Sequence, residues 1–362
     1  MTTTILAVLT ALLAAATAIS FLRIAHGFVR VFSFPRIQII ILAAIVLVAV
    51  LVFVEPGWLD SLMVASLIAV IVAQAATILQ FTPVRRPETA IYEGDPDGEN
   101  TLSLVSFNIK ESNRNYEGAM ESARSLDPDL MLFMETDRPW VEALQPLGKT
   151  HPNVVSHPLD NAYGMILFSR LEIADSRVEY LIMDEIPSIH ATIVLRDGQR
   201  FKLICVHPEP PVPHVDSLGR DAELITVARM VTEEPLPCLV TGDLNDVAWS
   251  NTTRMFQRLS RLLDPRVGRG FYNTFDARFF FMRWPLDHLF HDRRFQLIAM
   301  RRLDPAGSDH FPMYFKLALT RHEGSEVEMP ARADAQDREE AAEIVEEGRR
   351  LDRDPIGTDW EN

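Results

Sequence analysis

Three stretches of the 362-residue chain carry no charged side chain: Met1 to Leu22, Ile37 to Val54 and Ser61 to Val84. A helix needs about 20 residues to cross the roughly 30 Å hydrocarbon core of a bilayer, and each stretch is close to that length. Water-soluble helices keep a polar face. These have none, and Gln74 and Gln80 are the main polar interruptions of the third. The reading is a membrane domain of three transmembrane helices in residues 1–86. A cleaved leader explains the first stretch less well: Ala14-Ala15-Ala16 resembles a cleavage site, but no Lys or Arg precedes it.

Charge divides the chain the same way. Residues 1–86 hold 5 Lys/Arg and 2 acids, residues 87–320 hold 24 and 34, and residues 321–362 hold 6 and 14. This asymmetry excludes a uniform soluble globule, and the composition excludes a collagen-like or wholly disordered chain. The net charge of −15 argues against nucleic-acid binding over the whole surface, though not against a local basic site. Arg23, Arg30 and Arg36 lie between the first two stretches, and Arg85 and Arg86 follow the third; the other loop carries Glu55 and Asp60. The positive-inside rule then places the N-terminus outside and the large domain in the cytoplasm. The outer face stays open as an alternative, because the first stretch has no charged N-terminal flank. With only Cys205 and Cys238, both in apolar runs, a disulfide scaffold and a multi-Cys zinc site are excluded, and buried free thiols are expected.

Residues 87–100, with five acids, two glycines and two prolines, read as a solvated linker. A domain over residues 101–320 follows. Strands are expected at Leu102–Ile109, Leu130–Met134, Met165–Phe168, Ile189–Leu195, Phe201–Val206, Cys238–Thr241, Leu286–Phe290, Phe295–Met300 and Phe311–Leu319. Helices are expected at Tyr116–Leu126, Ser217–Thr232 and Asn251–Leu262. Many strands with intervening helices imply an α/β domain with mixed or antiparallel sheets covered by helices. Residues 321–362 read as an acidic, disordered tail, because their few apolar residues offer little to pack.

Polar residues recur where these apolar strands stop: Asn108, Glu135, His207, Asp243 with Asn245, Asp287 with His288, and Asp309 with His310. Strand ends line one rim of a sheet, where α/β folds build active sites. Singly, each has a mundane account, such as an Asx turn at Asp243 or a helix-start acid at Glu135. Six coincidences together are a poor one.

The residues Ser106-Phe107-Asn108, Asp127-Pro128-Asp129-Leu130 through Glu135, and Tyr163-Gly164-Met165-Ile166-Leu167-Phe168-Ser169-Arg170 come first in an ordered set. Val206-His207, Gly242-Asp243-Leu244-Asn245, Pro285-Leu286-Asp287-His288 and Gly307-Ser308-Asp309-His310-Phe311-Pro312 complete it. In this order and spacing the chain resembles the endonuclease/exonuclease/phosphatase (DNase I-like) superfamily over about Leu102 to Leu319, as a membrane-anchored member. The resemblance implies a four-layer α/β/β/α sandwich preceded by the three transmembrane helices. Two positions depart from it: His288 stands where many relatives have Tyr, and Met134 where many have Gln.

The resemblance also implies a divalent-metal-dependent phosphoesterase. Glu135, Asn108 and Asp309 would ligate Mg2+ or Mn2+, since hard oxygen donors suit these ions. Asp243 would activate water, Asn245 would hold a phosphoryl oxygen, His310 paired with Asp287 would contact the phosphate or act as acid/base, and His207 would donate to the phosphate or leaving group. The implied location is multi-pass, in a bacterial inner membrane. For the substrate, Arg254 to Arg302 holds 11 Arg against 4 Asp, together with Phe271, Tyr272, Phe275, Phe279, Phe280, Phe281 and Trp284. A loop meeting lipid phosphates, a nucleic-acid surface, and solvated helix faces beside a buried Phe279–Phe281 strand all fit that pattern. Tethering at the bilayer favours a lipid-linked phosphate or pyrophosphate. A nuclease is the alternative, and a non-catalytic membrane scaffold a further one.

Overall fold

In the computed structural model, which describes residues 1–321 and 329–358, all three uncharged stretches are helical. They are α1 (Thr2–Ser20), α3 (Arg36–Phe53) and α4 (Trp58–Ile78), with a short α2 (Gly27–Val31) between the first two. The three long helices are long and apolar enough to cross a membrane. Leu13, Ala43, Val46, Val50, Leu67 and Val70 form the seam that joins them. Ile45, Val48, Leu51 and Leu62 face outward, an apolar exterior suited to hydrocarbon rather than water.

The rest of the chain builds two mixed sheets. The first has the order β10-β11-β1-β2-β4-β3, from β1 (Thr101–Asn108), β2 (Leu130–Met134), β3 (Asn153–His157), β4 (Met165–Ser169), β10 (Phe295–Arg302) and β11 (Met313–Leu319). The second has the order β5-β6-β7-β8-β9, from β5 (Glu172–Tyr180), β6 (Pro187–Val194), β7 (Arg200–Cys205), β8 (Cys238–Asp243) and β9 (Asp287–His291). Each sheet has one parallel pair at its centre, β1–β2 and β7–β8. A parallel pair needs a crossover. These are α5 (Tyr116–Arg124) and α7 (Leu218–Glu233), each lying on the outer face of its sheet. Leu104, Leu132, Ala191, Leu203, Leu239 and Leu289 meet between the sheets. The result is the expected α/β/β/α sandwich.

Period-two alternation along these strands decides where the site residues go. Leu102 and Leu104 point inward while Val105 and Phe107 pack outward on α5. The inward series continues to Asn108. Leu203 and Cys205 lead in the same way to His207, Leu239 leads to Asp243, and Leu289 is two residues from Asp287. Four of the polar residues therefore share the inward parity of their strands, at one end of the sandwich.

Three expectations need amending. The tail does not read as disordered over its described part: α9 (Ala335–Gly348) packs Ala341, Ile344 and Val345 onto Ala222, Ile225 and Met255. Three apolar residues at i, i+3 and i+4 spacing suffice because the helix also has a capping box at Asp334 and Asp337, and Arg258 forks Asp337 at 2.7 Å. Residues 322–328 lie outside the described part. The linker is pinned rather than freely solvated, with Leu297 N donating to Ala90 O and Tyr92 N to Leu297 O. Finally, β3, β5 and the short α6 (Arg138–Leu144) were not expected; β3 and β5 are edge strands with largely exposed side chains, so no apolar alternation marks them. Cys205 and Cys238 are buried free thiols, as expected.

Candidate active site

Asn108 sits at the junction of the two sheets. Its Nδ2 donates to Glu135 Oε1 at 2.7 Å and to Asp243 Oδ2 at 3.1 Å. The second Glu135 oxygen accepts from Glu111 N at 3.0 Å. Asp243 Oδ1 accepts from Asn245 N at 2.9 Å, tying the turn after β8 to the strand end. Glu135 and Asn245 both adopt positive φ, at 61° and 49°, conformations that cost a non-glycine residue and concentrate at functional sites. Gly242 is required here: a Cβ would lie 1.9 Å from Val206 O, where β8 passes β7.

The second half of the site is a histidine held between carboxylates. His310 Nδ1 donates to Asp287 Oδ2 at 2.8 Å, and its Nε2 lies 3.5 Å from Asp243 Oδ2. Burial opposes the charged ring, but Asp287 and then Asp243 outweigh it and push His310 up to about 10. His207 Nε2 is 3.9 Å from the same Asp243 oxygen, yet burial dominates there and pushes it down to about 4. At neutral pH the two histidines therefore differ in charge. Asp243 is itself raised, first by burial. His288 plays a structural part: it is buried, with Nε2 2.8 Å from Asp246 O and Nδ1 accepting from Arg266 at 2.6 Å.

The donor set fits a divalent cation. Glu135 is half-buried, its hydrogen-bond partners are an amide and a backbone N–H, and desolvation pushes its carboxyl up to about 7. A neighbouring cation would supply the missing charge. Asp287 Oδ1 is buried without a hydrogen-bond partner. Asp243, Asp287 and His310 also offer ligand atoms within 4.8 Å of one another. Glu135 with Asn108 and the Asp243–Asp287–His310 cluster are thus two adjoining places that could hold the ion. Asp309, the third expected ligand, is held by Lys110 Nζ at 3.1 Å, with Arg278 at 3.5 Å.

Glu135, His207, Asp243, Asn245, Asp309 and His310 all line one cavity of about 550 Å3. Apolar residues line it as well, among them Val31, Phe34 and Pro35, from the connection between α1 and α3, with Met282 and Trp284. Residues missed from the sequence also line it: Lys110, Tyr163 against the His207 ring at 5.4 Å, and Phe275 against His310 at 4.9 Å. Lys110, two positions beyond Asn108, was the one with a usable signal. The Arg-rich stretch is not a uniform basic face. Asp264, Asp276 and Asp292 each pair with the arginine two residues on, and Phe279–Phe281 are exposed on a turn rather than buried in a strand.

The profile of the Endonuclease/Exonuclease/phosphatase family matches residues 105–310, more than half of the chain. Among solved structures, the chain is similar to D. rerio TDP2 complexed with single strand DNA product. That match is 16% identical with a TM-score of 0.51, covering 60% of this chain and 98% of that one. It is also similar to the human Nocturnin catalytic domain with bound sulfate anion, at 16% identity and a TM-score of 0.50, covering 65% and 100%. No curated protein matches it by sequence.

Proposed function

The chain belongs to the endonuclease/exonuclease/phosphatase family and is a hydrolase of phosphate ester bonds, and from that premise we propose that its substrate is a lipid-linked phosphate ester or pyrophosphate. The observation that carries the reading is the cavity. Its lining combines Asp243, His310 and Glu135 with the apolar Val31, Phe34 and Pro35, which lie next to a helix able to cross a membrane. A phosphate on an apolar chain matches both kinds of lining.

In this proposal Asp243 accepts the proton of the attacking water, and Asn245 holds a phosphoryl oxygen. The His310 imidazolium, oriented by Asp287, supplies positive charge and a proton at Nε2. Neutral His207 offers a hydrogen bond to the phosphate or leaving oxygen. Glu135, Asn108 and Asp309 would hold Mg2+ or Mn2+, which when bound offsets negative charge on the phosphoryl oxygens.

The test uses the full chain in liposomes containing a phosphorylated lipid, beside DNA and RNA, with Mg2+ or Mn2+. Lipid-phosphate release is expected, reduced a hundredfold or more in Asp243→Ala and His310→Ala. Nuclease turnover without lipid-phosphate release would reassign the substrate to nucleic acid. Silence on every substrate, or variants equal to wild type, would leave a membrane scaffold.

A further inference from the structure

Most large apolar side chains outside the long helices are buried, but the turn before Trp284 is an exception. Phe280 is 81% exposed, Phe281 58% and Phe279 48%, and their rings lie against one another rather than against the core. The stem of the turn is firmly built. Arg278 forks Asp276, and Arg283 donates to Ala277 O at 3.0 Å while covering the Phe311 ring at 4.9 Å. Three phenylalanines on a rigid stem are displayed, and water is an unfavourable place to display them.

The position of the turn indicates what covers it. Gln38, in the first turn of α3, donates from Nε2 to Phe281 O at 2.9 Å. The tip therefore sits at the level where α3 begins its apolar run. Phe21, Leu22, Ile24 and Phe28, at and beyond the end of α1, are exposed as well. An aromatic and aliphatic belt where apolar helices end is the pattern of a bilayer interface. Directly behind the tip, Met282 and Trp284 line the active-site cavity, and Phe34 packs edge-on against Trp284 at 5.8 Å.

We infer that the Phe279–Phe281 tip is buried in the headgroup–acyl boundary of the bilayer that α3 enters, so that the cavity opens onto that boundary and receives its amphiphilic substrate laterally. Lateral entry rests on the proposed lipid-phosphate substrate; burial of the tip does not.

The full chain is reconstituted in phosphatidylcholine/phosphatidylglycerol vesicles with a nitroxide at Phe280→Cys or, as an aqueous control, at Glu93→Cys. The native cysteines are buried and do not compete for label. At position 280, collisions with oxygen should exceed collisions with a water-soluble nickel chelate, with the reverse at 93. Equal behaviour at the two positions would overturn burial of the tip, and a label shielded from both reagents would reassign the surface to a protein partner. A second arm compares lipid-phosphate turnover in the same vesicles with turnover of a soluble nitrophenyl phosphodiester. Phe280→Asp should lower the ratio of the first to the second by about tenfold. Equal loss on both substrates would overturn lateral entry. A wild type inactive on both would sink the catalytic reading while leaving the collision result to stand.

Discussion

Arg30, on the short helix between the first two apolar helices, donates from Nη2 to Asp221 Oδ2 at 2.7 Å, and both side chains are buried. Asp221 Oδ1 accepts from Arg220, whose Nη1 donates in turn to the backbone oxygen of Asn245 at 3.0 Å. Three ion-paired side chains thus join the membrane-proximal helix to the turn that carries Asp243 and Asn245. Trp249 Nε1 to Ser33 O at 2.7 Å and Gly27 N to Val215 O at 2.9 Å bind the same segments. The membrane-proximal connection is part of the site's foundation.

Arg30→Ala should therefore damage stability and catalysis together. Breaking one side of a buried ion pair costs about 3–5 kcal/mol, read as a lower Tm in detergent. The effect on turnover should fall on kcat more than KM, with Arg30→Lys restoring part of it. Burial works against ionisation of Asp221, but Arg30 and then Arg220 hold its carboxyl below the ordinary value. A depressed folded pKa stabilises above the unfolded value, and the contribution is lost as pH falls through the folded one. The Tm gap between wild type and Arg30→Ala should accordingly narrow in acid. A gap unchanged from neutral to acid pH would argue that packing, not charge, dominates there.

Glu223, two residues beyond Asp221 in α7, should behave in the opposite sense. It is buried, its Oε1 has no hydrogen-bond partner, and burial followed by the nearby Glu209 charge pushes its carboxyl well above 4.5. The folded state keeps it protonated at a pH where the unfolded chain ionises it. Stability is then lost as pH rises above the unfolded pKa. Glu223→Gln keeps the shape without the ionisation, so its Tm should exceed that of wild type at neutral and alkaline pH and converge with it in acid. The pair of melting curves across pH is the check.

The strand ends were legible in the sequence because each site residue interrupts an apolar run, and a buried strand has no other reason to stop in a carboxylate or imidazole. Glu135, His207, Asp243 and His310 all reach one cavity for that reason, with Asn108 and Asp287 hydrogen-bonded behind them. What stayed hidden depends on long-range packing. Arg30 looked like one more flanking arginine, and only the fold reveals Asp221 opposite it. The tail's Ala341, Ile344 and Val345 are too few to predict a packed helix without the groove on α7 that receives them. Edge strands such as β5 bury little, so their sequence carries no alternation.

Metal binding should appear as stabilisation. A ligand binding only the folded state adds about 2.7 kcal/mol at a hundredfold excess over its Kd. Mg2+ or Mn2+ should raise the Tm of the wild type in detergent, and chelation should remove both that gain and the activity. Glu135→Gln should lose the metal-induced rise. In chelator it should be at least as stable as wild type, because the Glu135 carboxyl has only an amide and a backbone N–H as hydrogen-bond partners. A metal-dependent rise that survives in Glu135→Gln would move the ion to the Asp243–Asp287–His310 cluster.

We propose that the catalytic domain faces the cytoplasm. Arg23, Arg30, Arg36, Arg85 and Arg86 lie at one end of the three apolar helices, with Glu55 and Asp60 at the other. Arg30 and Arg36 are buried in the folded protein, but orientation is set as the helices insert, when their charge is still available. The fold agrees on which segments share a side: Ser33 bonds Trp249, and Gly268 N donates to Gln80 O at 2.8 Å, so the first connection and the end of α4 both abut the catalytic domain. A cysteine placed at Glu93 should resist a membrane-impermeant maleimide in intact cells and react after permeabilisation, whereas one placed at Glu55 should react in intact cells. The buried native thiols give no background. The reverse pattern would put the cavity on the outer face, where the charge rule would have been outweighed by translocation of the large domain.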